Sequence, residues 1–539
     1  MMAASPEHLL IAPILIPFFA GALMLIYDER QRRAKLAISL GSAVATLLAG
    51  IELLIRTKSG AGVGHYLLGD WAAPYGIILV ADRLSAMMVV LTGLLALPAL
   101  TYAAAAWHRQ GQHFHSMFQF LLMGLNGAFL TGDLFNLFVF FEVLLAASYG
   151  LLLHGGGQLR LRAGLHYIAI NLTGSLLFLI GVSLIYGATG TLNMAHLSVL
   201  IPGLPDAQRS LFHAGAAIMG VAFLIKAGIW PLSFWLPTAY MAGAAPVAAM
   251  FAIMTKVGVY VLIRTAFLFF GAGAGASAGF GSTVLIAGGI ATAAFGVLGV
   301  LASQGLGRMA AHLVLVSSGT VLAASGFVLA GGGAPILAAA LLYLLSSTLA
   351  TSALFLLIEP MSREEGGIAA MLALTADAYG LAEREEDRQP EIGLAIPGTL
   401  SVLGLSFAAC GVALAGLPPL SGFIGKLGLL QGLLAESAVA PGLVWGFVAL
   451  LLVSGLATLI GLVRIGIQTF WAGGTYAPRV LALEVLPVIV LVSLLVVLTF
   501  KAEVTLRYME RTADALLTPS VYSAGVLGAP RSKDGEVAP

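Results

Sequence analysis

The sequence predicts an all-α polytopic membrane protein of about fourteen transmembrane helices, with two inverted five-helix repeats and broken helices in spans 7 and 12. Three observations carry that expectation. Only 9% of the 539 residues are charged and 59% are hydrophobic, whereas a soluble domain carries about a quarter charged residues. With a mean hydropathy of +0.99, too little polar surface remains to cover a water-soluble globule. Apolar runs recur along the chain, each near the roughly 20 residues that cross a bilayer. Two of these runs are overlong and cut by prolines.

The runs fall at 8–27, 36–55, 78–104, 115–132, 133–153, 163–186, 211–243, 244–270, 282–302, 308–330, 335–358, 395–433, 441–468 and 482–500. The first reads as a retained span rather than a cleaved signal. Its basic residues (Arg30, Arg32, Arg33, Lys35) follow the apolar stretch instead of preceding it. Glycine, at 66 residues, suits helix packing in lipid, where small residues let backbones approach.

The seventh run contains LIKAGIWPLSFWLP, interrupted by Gly228, Pro231 and Pro237. The twelfth contains AGLPPLSGFIGKLGLL, interrupted by Pro418, Pro419, Gly422 and Gly425. Proline removes a backbone donor and disrupts the helix. The freed backbone groups cannot face lipid, so such breaks belong inside the bundle or against water. The two broken spans lie five apart, each with a lysine, and an odd offset inverts topology. The competing reading is two independent kinks. The paired pattern divides the chain into an N-terminal three-helix segment (1–114), a first repeat (115–270, spans 4–8), a second repeat (282–468, spans 9–13), and a last span with a polar C-terminal tail (482–539).

Arginine and lysine crowd the loops after odd-numbered spans, which predicts that those loops are cytoplasmic. The one long polar loop, Ser362–Glu391, reads as a solvated connector or a docking surface for a partner. A net charge of +1 argues against nucleic acid, and the single cysteine, Cys410, excludes a disulfide framework, a Cys-ligated zinc and an iron–sulfur cluster. No phosphate-binding glycine loop, metal-ligand cluster or hydrolase motif stands in soluble context. The expectation is therefore a transporter without cofactor or metal, not an enzyme.

Three of the seven lysines lie inside apolar spans. A charge at the bilayer centre costs several kcal/mol, so intramembrane ionisable residues are functional candidates by default. Glu142 lies near mid-span in DLFNLFVFFEVLLAASYG; its competing role is a structural ion pair between helices. Lys226 stands just before the Gly228–Pro231 break, where the carbonyl end of a half-helix favours a cation, and Glu142 is its partner by residue type. Lys256, in FAIMTKVGVYVLIR, has no acid within i,i+4 reach; snorkelling to an interface is its competing reading. Lys426 follows the double-proline break of the second half. Four protonatable groups in two half-units can pass protons through water.

The remaining polar residues are weaker candidates. Asp82 and Asp133 stand at helix starts, where a carboxylate caps free N–H groups. His312 is as readily a packing residue as an interior one. Ser317, Ser318, Thr320, Ser346, Ser347, Thr348 and Thr351 could hydrate a path from Lys256 to Lys426, or bond back to helix carbonyls.

The segments DLFNLFVFFE, IKAGIWPLSFWLPTAY with the following AAPVAA, MTKVGVY and GLPPLSGFIGK make the chain resemble the antiporter-like membrane subunits shared by respiratory complex I and the multisubunit Mrp/Pha cation/proton antiporters. The resemblance spans about residues 65–475, and GDWAAPYGIILVADRLSA is similar to the D-type subunits of the Mrp/Pha systems. It implies fourteen helices with two inverted repeats, a Glu142–Lys226 pair, Lys256 on a central hydrophilic axis, and Lys426 gating the other half-channel. It further implies a hetero-oligomer in a bacterial inner membrane that exchanges protons for K⁺ or Na⁺. The chain departs from the family pattern at GRMAAHLVLVSSG (His312, Ser317) and YLLSSTLATSALF (Ser347, Thr351). There, hydroxyl-held water or a neighbouring subunit would have to bridge Lys256 to Lys426. The alternative within the resemblance is a proton-pumping membrane subunit of an NADH:quinone oxidoreductase. A third reading is an assembly scaffold whose buried charges only hold helices together.

Overall fold

The computed structural model describes residues 8–59, 63–362, 397–470 and 480–530. Most of the long polar loop expected at 362–391 therefore lies outside the described residues. The chain begins with α1 (Ala12–Ile26) and α2 (Arg32–Ser59), followed by an antiparallel hairpin of β1 (Gly64–Leu67) and β2 (Ile78–Ala81). The hairpin departs from the all-helical expectation and shortens the third span. Ile78–Ala81 pairs with Gly64–Leu67, and the helix begins only after Asp82, whose carboxylate accepts the Ser85 backbone N–H at 2.9 Å. Asp133 caps its helix in the same way, accepting the Asn136 N–H at 2.8 Å. Both carboxylates satisfy N–H groups that no helical carbonyl can reach.

From Asp82 the chain continues as α3 (Arg83–Ala103), α4 (Phe114–Leu130), α5 (Leu134–Leu153), α6 (Gln158–Thr189), a short α7 (Met194–Leu200), α8 (Asp206–Ala227), α9 (Trp235–Ala242), α10 (Ala245–Phe270), α11 (Ser282–Ala302), α12 (Leu306–Leu329) and α13 (Ala334–Ser362). Beyond the undescribed loop come α14 (Pro397–Ala415), α15 (Ser421–Glu436), α16 (Pro441–Phe470) and α17 (Ala482–Phe500). The C-terminal segment expected as a polar tail instead forms α18 (Ala502–Leu517) and α19 (Pro519–Leu527), with Met509, Thr512, Ala513 and Leu516 turned inward. Eleven of the described helices are long and apolar enough to cross a bilayer.

Helix α10 forms the axis of the molecule, since every one of its residues is buried. It packs against α3, α8, α12 and α13. The neighbouring helices approach closely where glycine removes a side chain. A Cβ at Gly258 of α10 would stand 2.8 Å from the Phe223 carbonyl of α8, and one at Gly289 of α11 would stand 2.7 Å from the Gly319 carbonyl of α12. The flanks are apolar and exposed, with Leu172, Leu176 and Ile180 on α6 and Leu452, Leu456 and Ile460 on α16. An outward apolar face around buried polar groups fits lipid as the solvent.

Both proline-cut spans are broken, and they break alike. α8 ends at Gly228 (φ 74°) and α14 ends at Gly416 (φ 74°). The next N–H folds back five residues in each: Ile229 N–H to the Leu224 carbonyl and Leu417 N–H to the Val412 carbonyl, both at 3.0 Å. The left-handed glycine is what permits this termination. Pro231 and Pro419 each follow their glycine by three residues, and Pro418 precedes Pro419 in the second turn.

Candidate functional site

The four charged candidates occupy the interior in three groups. Glu142 sits in the middle of α5, half-buried, and accepts a hydrogen bond from Ser175 Oγ of α6. Lys226, 1% exposed, is the penultimate residue of α8. Its Nζ donates to Asn171 Oδ1 at 3.5 Å and stands over the rings of Phe141 and Tyr167 at 5.6 and 5.7 Å. Glu142 and Lys226 act on one another electrostatically. They are farther apart than the 4.0 Å of an ion pair. The expected pair is therefore spaced, and Asn171 and Ser175 serve its two ends. These residues lie one turn apart on α6, so a single helix face presents both.

Lys256 lies eleven residues into α10 and is also 1% exposed. Its Nζ donates to Ser317 Oγ at 2.8 Å and Ser318 Oγ at 3.1 Å, both on α12. Snorkelling is excluded by this burial. Ser317 Oγ shares a hydrogen bond of 2.7 Å with Ser347 Oγ on α13, and the adjacent Ser346 Oγ shares one of 2.8 Å with Ser421 Oγ. Ser421 opens α15, the half-helix that carries Lys426. Thr351 bonds back to the Ser347 and Thr348 carbonyls of its own helix. His312 is turned away from this line: Nδ1 meets the Arg308 carbonyl at 2.8 Å and the ring packs toward Phe295 of α11.

Lys426, 6% exposed, reaches back across the second break. Its Nζ donates to the Ala415 carbonyl at 3.1 Å and to Ser454 Oγ at 3.2 Å. Lys226 reaches the carbonyl end of a half-helix through its place in the sequence, and Lys426 does so by folding back. Both cations thus sit where the helix dipole is negative. Lys426 also lines a cavity of about 290 Å³ with Phe423, Leu430 and Leu451, beside the exposed Leu452 and Leu456. Among the described residues, none of Lys226, Lys256 and Lys426 has a carboxylate within 4.0 Å, whereas the buried Lys35 near the N-terminus pairs with Glu29 at 2.7 Å. Within that same set, no cluster of three or more His, Cys, Asp or Glu side chains is arranged to hold a metal.

Several interior polar groups escaped the sequence reading. Asn171 and Ser175 carry the one available signal, polar residues at i,i+4 in an otherwise apolar run. Ser421 and Ser454 have no such pattern. Asp82, read as a cap, also forms a bidentate pair with Arg264 (2.5 and 2.7 Å) near the far end of α10.

Broken helices around buried lysines held by amide, hydroxyl and carbonyl oxygens mark a polytopic membrane protein with a polar interior. The family described as NADH:quinone oxidoreductase/Mrp antiporter, TM matches residues 131–453, and the chain belongs to this family. It is 55% identical over 537 residues to the D subunit of a probable K⁺/H⁺ antiporter of Rhizobium meliloti, covering 98% of each chain. It is 35% identical to the D subunit of the Na⁺/H⁺ antiporter of Alkalihalophilus pseudofirmus, covering 97% of this chain and 99% of that one. Among solved structures, it matches a chain of the Mrp complex from Dietzia sp. with a TM-score of 0.81 and 25% identity, covering 97% of this chain and 100% of that one. A chain of respiratory complex I from Thermus thermophilus shares the fold at a TM-score of 0.72 and 22% identity, covering 95% of this chain and 99% of that one.

Proposed function

We propose that this chain is the proton-translocating subunit of a multisubunit monovalent cation/proton antiporter, exchanging H⁺ for K⁺ or Na⁺ across a bacterial inner membrane. The observation that carries this reading is the row of buried lysines whose ammonium groups meet hydroxyl, amide and carbonyl oxygens instead of carboxylates. A lysine whose hydrogen-bond partners are all neutral can lose its proton without stranding an ion-paired carboxylate against it. Near full-length identity to the D-type subunits of antiporters supports the same reading. Of the two cations, K⁺ is favoured by the 55% identity to the K⁺/H⁺ relative.

In this scheme Glu142, Lys226, Lys256 and Lys426 carry protons in turn. A proton reaching Lys226 makes the ammonium that strengthens its hold on Glu142, and the pair loosens when Lys226 discharges. Ser317, Ser347, Ser346 and Ser421 form the connection between Lys256 and the second broken helix. His312 and Thr351 stand beside this connection rather than in it. Adding α1, α4 and the broken α14–α15 span to the eleven long apolar helices gives fourteen crossings, and the matched breaks at Gly228 and Gly416 support inverted repeats over 115–270 and 282–468.

The test is cation-dependent proton exchange in everted vesicles holding the complete complex, challenged separately with Na⁺ and K⁺. Wild-type exchange by a Lys256→Gln complex of normal yield would sink the proton role. The second reading, a proton-pumping subunit of an NADH:quinone oxidoreductase, is favoured by the shared family description. It requires proton movement that follows NADH oxidation and ignores the cation added.

A further inference from the structure

Glu359 lies outside the four groups assigned to proton movement. It is half-buried near the C-terminal end of α13. Its Oε2 accepts hydrogen bonds from Trp107 Nε1 at 2.8 Å and Tyr102 OH at 3.2 Å, and its Oε1 accepts the backbone N–H of Ala245 at 2.9 Å. Ala245 is the first residue of α10, so the carboxylate stands at the positive end of the helix that carries Lys256.

Arg160, in the first turn of α6, faces this carboxylate and acts on it electrostatically without an ion-pair contact. Its guanidinium stacks over Trp107 at 4.6 Å, donates to the Ala242 carbonyl at 3.0 Å, and donates to the His154 carbonyl at 3.1 Å. The two charged groups line a cavity of about 390 Å³ together with Gly157, Ala242, Gly243 and Ala245.

Between this cavity and Lys256, α10 runs for eleven residues, about 16 Å at 1.5 Å per residue. Polar groups occupy the inner part of that interval. Tyr240 OH and Thr255 Oγ1 share a hydrogen bond, and each lies within hydrogen-bonding reach of the Phe251 carbonyl, to which the one not donating to the other can donate. Thr255 is the chain neighbour of Lys256.

We infer that Glu359, with Arg160, is the proton port of the face that carries the 154–157 turn, exchanging protons between cavity water and Lys256 through Tyr240 and Thr255. The inference rests on the antiporter reading. Glu359 takes a proton from water in the cavity and passes it inward; Lys256 gains an N–H, and Glu359 returns to the carboxylate. The facing groups suit this cycle. Tyr102 from α3, Trp107 from the 107–109 turn and the α10 N-terminus donate to the carboxylate, and Arg160 from α6 faces it. The competing role is a purely structural carboxylate tying α3, α10 and α13 together.

Two measurements on the assembled complex separate these roles. Glu359→Gln keeps the shape and an acceptor oxygen but cannot titrate, whereas Glu359→Asp can. The expected result is exchange slowed by about a hundredfold or more in Glu359→Gln, the range of a lost proton-transfer group, with substantial rescue in Glu359→Asp. The second measurement uses Ile358→Cys in a Cys410→Ala background, treated with a membrane-impermeant maleimide. Labelling is expected from one side of the membrane only. Wild-type exchange in Glu359→Gln, or equal loss in both variants, overturns the port, as does an Ile358→Cys complex that labels from neither side. A wild-type complex without any cation-dependent exchange would instead overturn the antiporter reading itself.

Discussion

Ser346 and Ser347 are consecutive on α13, yet their hydroxyls serve different helices: Ser347 meets Ser317 beside Lys256, and Ser346 meets Ser421 at the start of the second half-helix. Neighbouring residues on a helix point about 100° apart, which lets one turn of α13 touch both sides of the axis.

Replacing either serine by alanine breaks this line at one point. Ser347→Ala and Ser346→Ala are each expected to slow cation-dependent proton exchange by about tenfold, roughly 1.4 kcal/mol of barrier. Because both lie on one route, the double variant is expected to be little slower than either single one. Stopped-flow pH measurements on reconstituted complex would show this; additive losses would indicate separate routes.

At the other end of the axis, Lys226→Arg keeps the charge near Glu142 but holds its proton. Exchange is expected to be lost while assembly is retained. Asn171→Leu removes the acceptor of the ammonium, leaving a buried donor unsatisfied at a cost of about 1–3 kcal/mol. A drop in melting temperature of the purified complex would register it.

Gly416 occupies a left-handed turn, and a Cβ there would collide with Lys426 Cδ. Gly416→Ala is therefore expected to displace Lys426 from the Ala415 carbonyl. Exchange should fall with little change in complex yield. Gly258→Val should act differently, forcing α8 and α10 apart at the Phe223 carbonyl and destabilising the fold by roughly 1–3 kcal/mol. Yield on gel filtration distinguishes the two.

Glu29, in the turn between α1 and α2, gives a pH signature outside the spans. Burial pulls its pKa up, but the hydrogen bond from buried Lys35 at 2.7 Å, the His113 backbone N–H and the charges of both residues hold it below the ordinary 4.5. A depressed carboxylate contributes stability that is present above its unfolded pKa and lost as pH falls through the folded value. Glu29→Gln should destabilise the protein at pH 7 by no more than about 1 kcal/mol given the solvent-screened setting, read as a lower melting temperature. That difference should begin to shrink as pH falls past the ordinary value and vanish below the depressed one; a deficit persisting there would point to packing instead.

Composition, apolar run length and proline placement determined the membrane class, the positions of most helices and both breaks. These are local properties: lipid demands long apolar helices, and proline with left-handed glycine stops them wherever they fall. Lysines buried in apolar runs were legible for the same reason, since their cost does not depend on their neighbours. The partners were decided only by the tertiary structure. Asn171 and Ser175 between Glu142 and Lys226, the turn of Lys426 back to Ala415, and the return of Glu359 to the N-terminus of α10 join residues from 11 to 114 positions apart. The outward turn of His312 likewise depended on packing, because α12 could present any face until Gly299 and Phe295 of α11 received the ring. A helix periodicity fixes which residues share a face, and only packing against other helices fixes what that face meets.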